Sequence, residues 1–154
     1  MLATRDLVWA AAAGALIPVM AILNARLGQV LGSALHAPVV LFAIGLLIAL
    51  AMAVLWTKSG IDLDRLREAQ PADLVGGAIV AFYVISATIL APKIGVGNFI
   101  VFAVSAQVIS SAAIDHYGMF GAVVRPVSAV KVGGILLLIA GIAITQLADA
   151  KSGA

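Results

Sequence analysis

Gln107, Ser111 and Asp115 recur at four-residue steps in an otherwise apolar stretch, a spacing that puts them on one face of a helix. Ala103 continues that face toward the other end. An amide, a hydroxyl and a carboxylate in one row can hydrogen-bond a polar solute as it passes, or can hold a neighbouring helix. For Gln107 both readings stay open: glue between helices, worth ~0.6–2 kcal/mol, or part of a substrate or water path. Asp115 is followed directly by His116. Histidine is the side chain that changes charge near neutral pH, so the pair suits proton coupling as well as simple anchoring of a helix end.

The other candidates are scattered. Tyr83 and Ser86 stand three apart on one helical face, with Gly76 two turns before Tyr83. Asn24 and Arg26 lie toward one end of the first apolar stretch, where Arg26 is expected to snorkel, because a guanidinium at a bilayer centre costs at least about 2.5–3.5 kcal/mol. Pro18 removes a backbone hydrogen bond and is expected to kink its helix. It belongs to a stripe of small residues, Gly14, Pro18, Ala21, Ala25 and Gly28, of the kind that lets backbones approach closely. Gly45 and Ala49, and Gly134 and Gly141 with Thr145, read as packing positions. The candidates for substrate contact are thus Gln107, Ser111, Tyr83, Ser86 and Asn24, with packing the alternative role of Tyr83 and Ser86, and the candidates for coupling or gating are Asp115, His116, Arg26 and Pro18.

Several chemistries are excluded. There is no cysteine, hence no disulfide framework and no thiolate. With only His36 and His116, no metal site is expected. No carboxylate sits centrally in an apolar run, which rules out an antiporter built on one buried Glu, and no nucleophile–base pair points to an enzyme. Gly95-Val96-Gly97 reads as a turn rather than a phosphate loop. Nothing calls for a cofactor. The net charge of +2 forms no basic stripe for nucleic acid.

The elements that must position these residues follow from composition. Of 154 residues, 64% are hydrophobic and 10% charged, with a mean hydropathy of +1.19, whereas soluble domains carry about 25% charge. The runs 7–25, 37–57, 74–92, 94–114 and 132–148 contain no Asp, Glu, Lys or Arg. Each approaches the ~20 helical residues that cross a hydrocarbon core about 30 Å thick. In lipid the backbone must satisfy itself, so such runs read as helices. Arg5 before an apolar stretch resembles a signal peptide, but Asp6 in that flank and four later spans mark a retained helix. The expectation is a single membrane domain, 1–154, with helices at about 7–28, 38–56, 73–91, 97–117 and 129–148.

Pro38 suits a first helical turn, and Asp73 and Ser128 suit N-caps. The turn at 92–97 is short, so the third and fourth helices are expected to be adjacent and antiparallel. The polar segment 58–72 reads equally well as a short interfacial helix or a solvated loop. The apolar loop 118–127 is too short to span and is expected among headgroups or packed back on the bundle. Arg5, Lys58, Arg65, Arg67, Arg125 and Lys131 fall on one side, and Arg26, Lys93 and Lys151 on the other, which favours a cytoplasmic amino terminus. No internal repeat is visible. Five spans put the termini on opposite sides, so a second copy could insert inverted.

Certain strings, in order, are Gly14-Ala15-Leu16-Ile17-Pro18, Asn24-Ala25-Arg26-Leu27-Gly28 and Gly32-Ser33. They continue with Gly77, Ala81-Phe82-Tyr83-Val84, Ala91-Pro92-Lys93-Ile94-Gly95, and Gln107 followed by Asp115-His116-Tyr117-Gly118-Met119-Phe120-Gly121. In this ordered set the chain resembles the YdcZ-type family of five-helix bacterial inner-membrane proteins, in the drug/metabolite transporter superfamily. It departs from that pattern at Met20, where a Gln is expected, at Phe42, where a Ser-Phe pair is commoner, and at Ala106, which replaces a Gly. The loss of the first-helix amide weakens any polar site shared between helices 1 and 4.

The resemblance implies a small all-α transporter or exporter of a metabolite or drug-like solute. It would work in the lipid bilayer as a pair of oppositely inserted subunits, two copies or a copy with a paralogue. Transporters commonly use inverted repeats, which five helices cannot supply alone. A passive channel would use the same polar stripe as a fixed pore, and a non-transporting scaffold would use it only as glue. Tyr83, Gln107 and Ser111 are expected to face the protein interior or a cavity, since a lipid-facing amide is unfavourable.

Overall fold

The computed structural model describes residues 4–57 and 62–152, with side chains as far as Ala148 except at Thr57 and Leu63. Lys58, one of the cations used to orient the chain, lies outside them, as does the side chain of Lys151. The elements are α1 (Thr4–Val30), α2 (His36–Thr57), α3 (Leu63–Arg67), α4 (Pro71–Ile94), α5 (Val96–Tyr117) and α6 (Ala129–Ser152). All but α3 are long and apolar enough to cross a membrane. No strand occurs among the described residues. The chain is an all-α, multi-pass membrane protein.

The long helices run two to four residues past most of the expected ends. The charge-free runs mark only the hydrocarbon portion, whereas a helix continues into the headgroups. At 27 residues and about 1.5 Å per residue, α1 is ~40 Å long, close to the full bilayer thickness of about 40–45 Å. α1 continues across Pro18 without a break. Pro38 lies in the first turn of α2.

Two local expectations are corrected. Asp73 is not the N-cap of its helix: α4 begins at Pro71, and the Asp73 carboxylate accepts the Gln70 N–H at 3.0 Å in a capping box. Nor is 92–97 a six-residue turn. α4 runs through Pro92 to Ile94, and only Gly95, at φ 89°, separates it from α5. A proline costs its hydrogen bond to the carbonyl four residues back, which the final turn of a membrane helix tolerates. Ser128 does cap α6, its hydroxyl accepting the Lys131 N–H at 3.2 Å.

Between α2 and α4, residues 63–67 take the helical alternative. Asp62 caps α3 by accepting from the Asp64 and Arg65 N–H groups at 3.0 and 3.2 Å. Its ion pairs, Arg65–Asp62 and Arg67–Asp64, are exposed and so contribute little.

The chain divides into two compact units, 1–96 and 97–154. In the first, α1 packs chiefly on α4, and α2 touches both. Its core is mostly small: Ala21, Ala37, Val84, Ala87 and Ala91, with Gly28. Small side chains admit close helix approach where no hydrophobic effect drives association. Of the α1 stripe, Ala21 and Gly28 are buried and Pro18 and Ala25 half-buried, while Gly14 is exposed. α1 ends in a Schellman motif. Gly32 takes φ 73°, Ser33 N–H donates to the Gly28 carbonyl at 2.9 Å and Gly32 N–H to Gln29 at 3.2 Å. The returning chain presses on Gly28, where a Cβ would lie 3.1 Å from the Ala34 Cα. Beyond its first two turns α2 is largely exposed.

In the second unit, no Cα of α5 comes within 8 Å of one in α6. Side chains join them instead, at both ends. The connecting segment folds back onto α5 rather than spreading from it. The Arg125 N–H donates to the Asp115 carbonyl at 2.7 Å and the Val127 N–H to His116 Nδ1 at 3.0 Å. Gly118 (φ 62°) and Gly121 (φ 78°) make the reversal, with Phe120 left-handed at φ 57° between them. A side chain at Gly118 would strike Val124 Cγ2 at 2.6 Å.

Candidate functional site

The most buried polar contact in the first unit joins its two best-packed helices. Asn24 on α1 and Thr88 on α4 are 4% and 2% exposed. Asn24 Nδ2 donates to Thr88 Oγ1 at 2.5 Å, and that hydroxyl donates to the Val84 carbonyl at 2.8 Å. A buried amide in lipid needs such a partner, because leaving it unpaired costs about 1–3 kcal/mol. Local sequence explains the approach: Ala21 and Gly28 flank Asn24 by one turn on α1, and Val84, Ala87 and Ala91 surround Thr88 on α4.

A groove opens on either side of this pair. One, of about 370 Å³, runs between α1 and α2 past Met20, Asn24, Leu27, Val40 and Ile44. Its polar side chain is Asn24. The other, of about 600 Å³, is lined by Gly28, Gln29, Ser33, Thr88, Pro92 and Lys93 among others. Pro92 has no N–H to offer the Thr88 carbonyl four residues earlier, and the exposed Lys93 brings a cation to the rim. One partner of the hydrogen bond therefore borders an oily groove and the other a polar one. Met20 lies one turn from Asn24 in the oily groove, at the position where a Gln was expected, and so leaves that wall without a second amide.

The second unit holds a different arrangement. Gln146 Nε2 donates to Asn98 Oδ1 at 2.7 Å at one end of α5, and Lys131 Nζ pairs with Asp115 Oδ2 at 3.3 Å at the other. Between them lies an apolar groove of about 490 Å³ past Ile100, Val104, Ser105, Leu138, Gly141 and Thr145. The Ser105 and Thr145 hydroxyls are turned back to the carbonyls of Val101 and Ile142 at 2.5 and 2.8 Å, so the groove offers almost no free polar group.

The expected site residues separate accordingly. Asn24 is buried and paired, and Pro18 is half-buried within α1. Arg26 is exposed, and Tyr83 and Ser86 are half-buried, outside the grooves described above. Asp115 and His116 both secure the α5–α6 connection: the Asp115 carboxylate and carbonyl take Lys131 and Arg125, and the His116 ring takes Val127. His116 also stands edge-on to Tyr117 at 4.7 Å.

The inward-facing stripe needs correction. Gln107 and Ser111 are exposed on the described chain, and only Tyr83 of the three is half-buried. The buried residues of α5 are Phe99, Ser105 and Ala112. Gln107 stands roughly 140–160° around the helix from Ser105 and Ala112 and about 80° from Phe99, at 3.6 residues per turn. Four-residue spacing puts side chains on a common face, but it does not say which neighbour covers that face.

Sequence reasoning missed Thr88, Asn98, Lys131 and Gln146. Thr88 carried a signal: it is a hydroxyl inside the charge-free run 74–92, seven residues (two turns) after Ala81 and four after Val84. The end-to-end pairs Asn98–Gln146 and Asp115–Lys131 carried none, because their members are 48 and 16 residues apart in sequence.

A family model described as "Putative inner membrane exporter, YdcZ" matches residues 7–144. Among curated proteins and among solved structures, none matches the chain.

Proposed function

Since the chain belongs to the YdcZ family of inner-membrane exporters, we propose that it is a secondary transporter of a small metabolite or drug-like solute, working as an antiparallel pair of subunits. The multi-pass architecture and the exporter class are the premise; the solute, the carrier mechanism and the pairing are the proposal. The observation that carries it is the Asn24–Thr88 hydrogen bond, buried between an oily and a polar groove at the α1–α4 contact.

A carrier needs a polar contact that one side of the membrane can reach at a time, and a helix pair whose contact can be remade. α1 and α4 meet through small side chains and the Asn24–Thr88 hydrogen bond, so a solute bearing a donor or acceptor can compete for Asn24 or Thr88 without disrupting a large core. Inverted repeats about an axis in the membrane plane give alternating access. A chain with five spans obtains that symmetry from a second, inverted copy or a paralogue. Asp115, His116, Arg26 and Pro18 are the coupling and gating residues of this reading, with Asp115 and His116 acting through the α5–α6 connection they hold.

The test is flux in proteoliposomes containing the purified protein, screened across amphipathic cations, amino acids and small sugars. Saturable uptake that falls at least tenfold in Asn24→Ala, with the variant still folded, is the expected result. Absence of flux across the screen rejects the carrier, and unitary currents in planar bilayers replace it with a channel.

A further inference from the structure

We propose that Gln107 is the centre of a self-complementary docking face through which α5 meets α5 of a second, inverted copy of the chain. The inference rests on the paired-subunit reading above and names the surface that makes the pair.

Gln107 is exposed and, among the described residues, its amide has no hydrogen-bond partner. A primary amide carries two N–H donors and two acceptor lone pairs, and lipid tails satisfy none of them. The α5–α6 groove takes Ser105 on the opposite side of the helix and Ile100 and Val104 within about 20–60° of Gln107, so α6 flanks the amide but gives it no hydrogen-bond partner. Apart from the exposed Val104 one turn earlier, the surface around it is low. Ala106, Ser110 and Ser111 are its small exposed neighbours, and the Ser111 hydroxyl is turned back to the Val108 carbonyl at 2.9 Å. Small residues of this kind let two helix backbones come close enough for short side chains to bond across the contact.

The second copy is favoured over other polar occupants by position and by chemistry. An amide is complementary to itself: in a two-fold pair, the N–H of each meets the carbonyl of the other. For inverted copies that two-fold axis lies in the membrane plane, so a residue meets its own counterpart only at mid-depth. Gln107 stands at the middle of α5, which runs from Val96 to Tyr117. Ser111 and Asp115, on the same stripe, do not. An isologous contact of this type closes on itself and forms a dimer rather than a chain. In the inverted pair Ala103 lies opposite the second copy's Ser111, whereas in a parallel pair each residue lies opposite itself.

The natural absence of cysteine makes the test direct. Single-cysteine variants in native membranes are oxidised with copper phenanthroline and resolved on non-reducing gels, beside light scattering of the unsubstituted protein in mild detergent. Gln107→Cys is expected to give a disulfide dimer, and Ala103→Cys co-expressed with Ser111→Cys a mixed dimer that neither gives alone. Gln107→Leu, which keeps the helix apolar, is expected to raise the dimer dissociation constant roughly tenfold, with Gln107→Asn in between. Self-linked dimers at 103 and at 111 would overturn the inverted arrangement. A dimer by light scattering with no link at 107 would overturn this surface while leaving the paired transporter standing. A protein that is monomeric yet carries solute would overturn both the surface and the pairing, and leave the carrier.

Discussion

Replacing Thr88 with valine removes one hydroxyl and almost nothing else, because the two side chains have nearly the same shape. The hydroxyl accepts from Asn24 Nδ2 at 2.5 Å and donates to Val84 at 2.8 Å. Its loss leaves a buried amide, 4% exposed, with no acceptor for that N–H. A hydrogen bond between membrane helices contributes on average ~0.6 and at most ~1.7 kcal/mol, whereas an orphaned buried amide costs about 1–3 kcal/mol. The second effect dominates, so Thr88→Val is expected to destabilise the protein by roughly 1–3 kcal/mol. The donation to Val84 adds little, since that carbonyl keeps its helical partner. Asn24→Leu removes the other side of the bond, and the double variant leaves no orphan, so its loss is expected to fall below the sum of the two single losses by about 1 kcal/mol or more. The assay is reversible unfolding by SDS in mixed micelles, run as a double-mutant cycle. Additive losses, or a Thr88→Val variant as stable as the parent, would refute the claim that this bond holds α1 to α4.

Two further outcomes follow from local geometry. Gly28→Leu is expected to lower the midpoint of thermal unfolding sharply and Gly28→Ala by an amount matching about 1–3 kcal/mol, because even a Cβ meets the Ala34 backbone at 3.1 Å; an unchanged midpoint would mean that the α1–α2 reversal does not press on that glycine. Asp115→Asn breaks the pair with Lys131, whose side chains are 37% and 39% exposed, so screening limits the loss to at most about 1 kcal/mol. The difference between Asp115→Asn and the parent is expected to shrink in molar salt, and a loss independent of salt would assign the effect to packing.

The number, type and rough position of the helices were legible because each depends on one local property. Charge-free stretches near 20 residues can satisfy their backbones only as helices in lipid, and Ser128 is an N-cap by its own chemistry. The errors arose where a neighbour decides. Asp73 looked like a cap, but Pro71 starts the helix earlier and makes Asp73 the partner of the N-cap Gln70 in a capping box. Pro92 looked like a breaker, but near the end of α4 the hydrogen bond it forfeits is one of the last. Asn24 was recognisable as a rare amide and Thr88 as a hydroxyl in a charge-free run, but their pairing across 64 residues was not.

The solvent, the helices and the short inventory of polar side chains were readable along the chain, since hydrophobicity and periodicity are summed residue by residue. Which polar groups meet is a matter of helix packing: Asn24 with Thr88, Asn98 with Gln146, Asp115 with Lys131. Packing likewise leaves Gln107 on the side of α5 away from Ser105 and Ala112. Helical spacing fixes the angle between side chains on one rod, but the facing of that rod is set by shape fit with its neighbours, and small-residue surfaces in lipid supply that fit with no periodic signal in the chain.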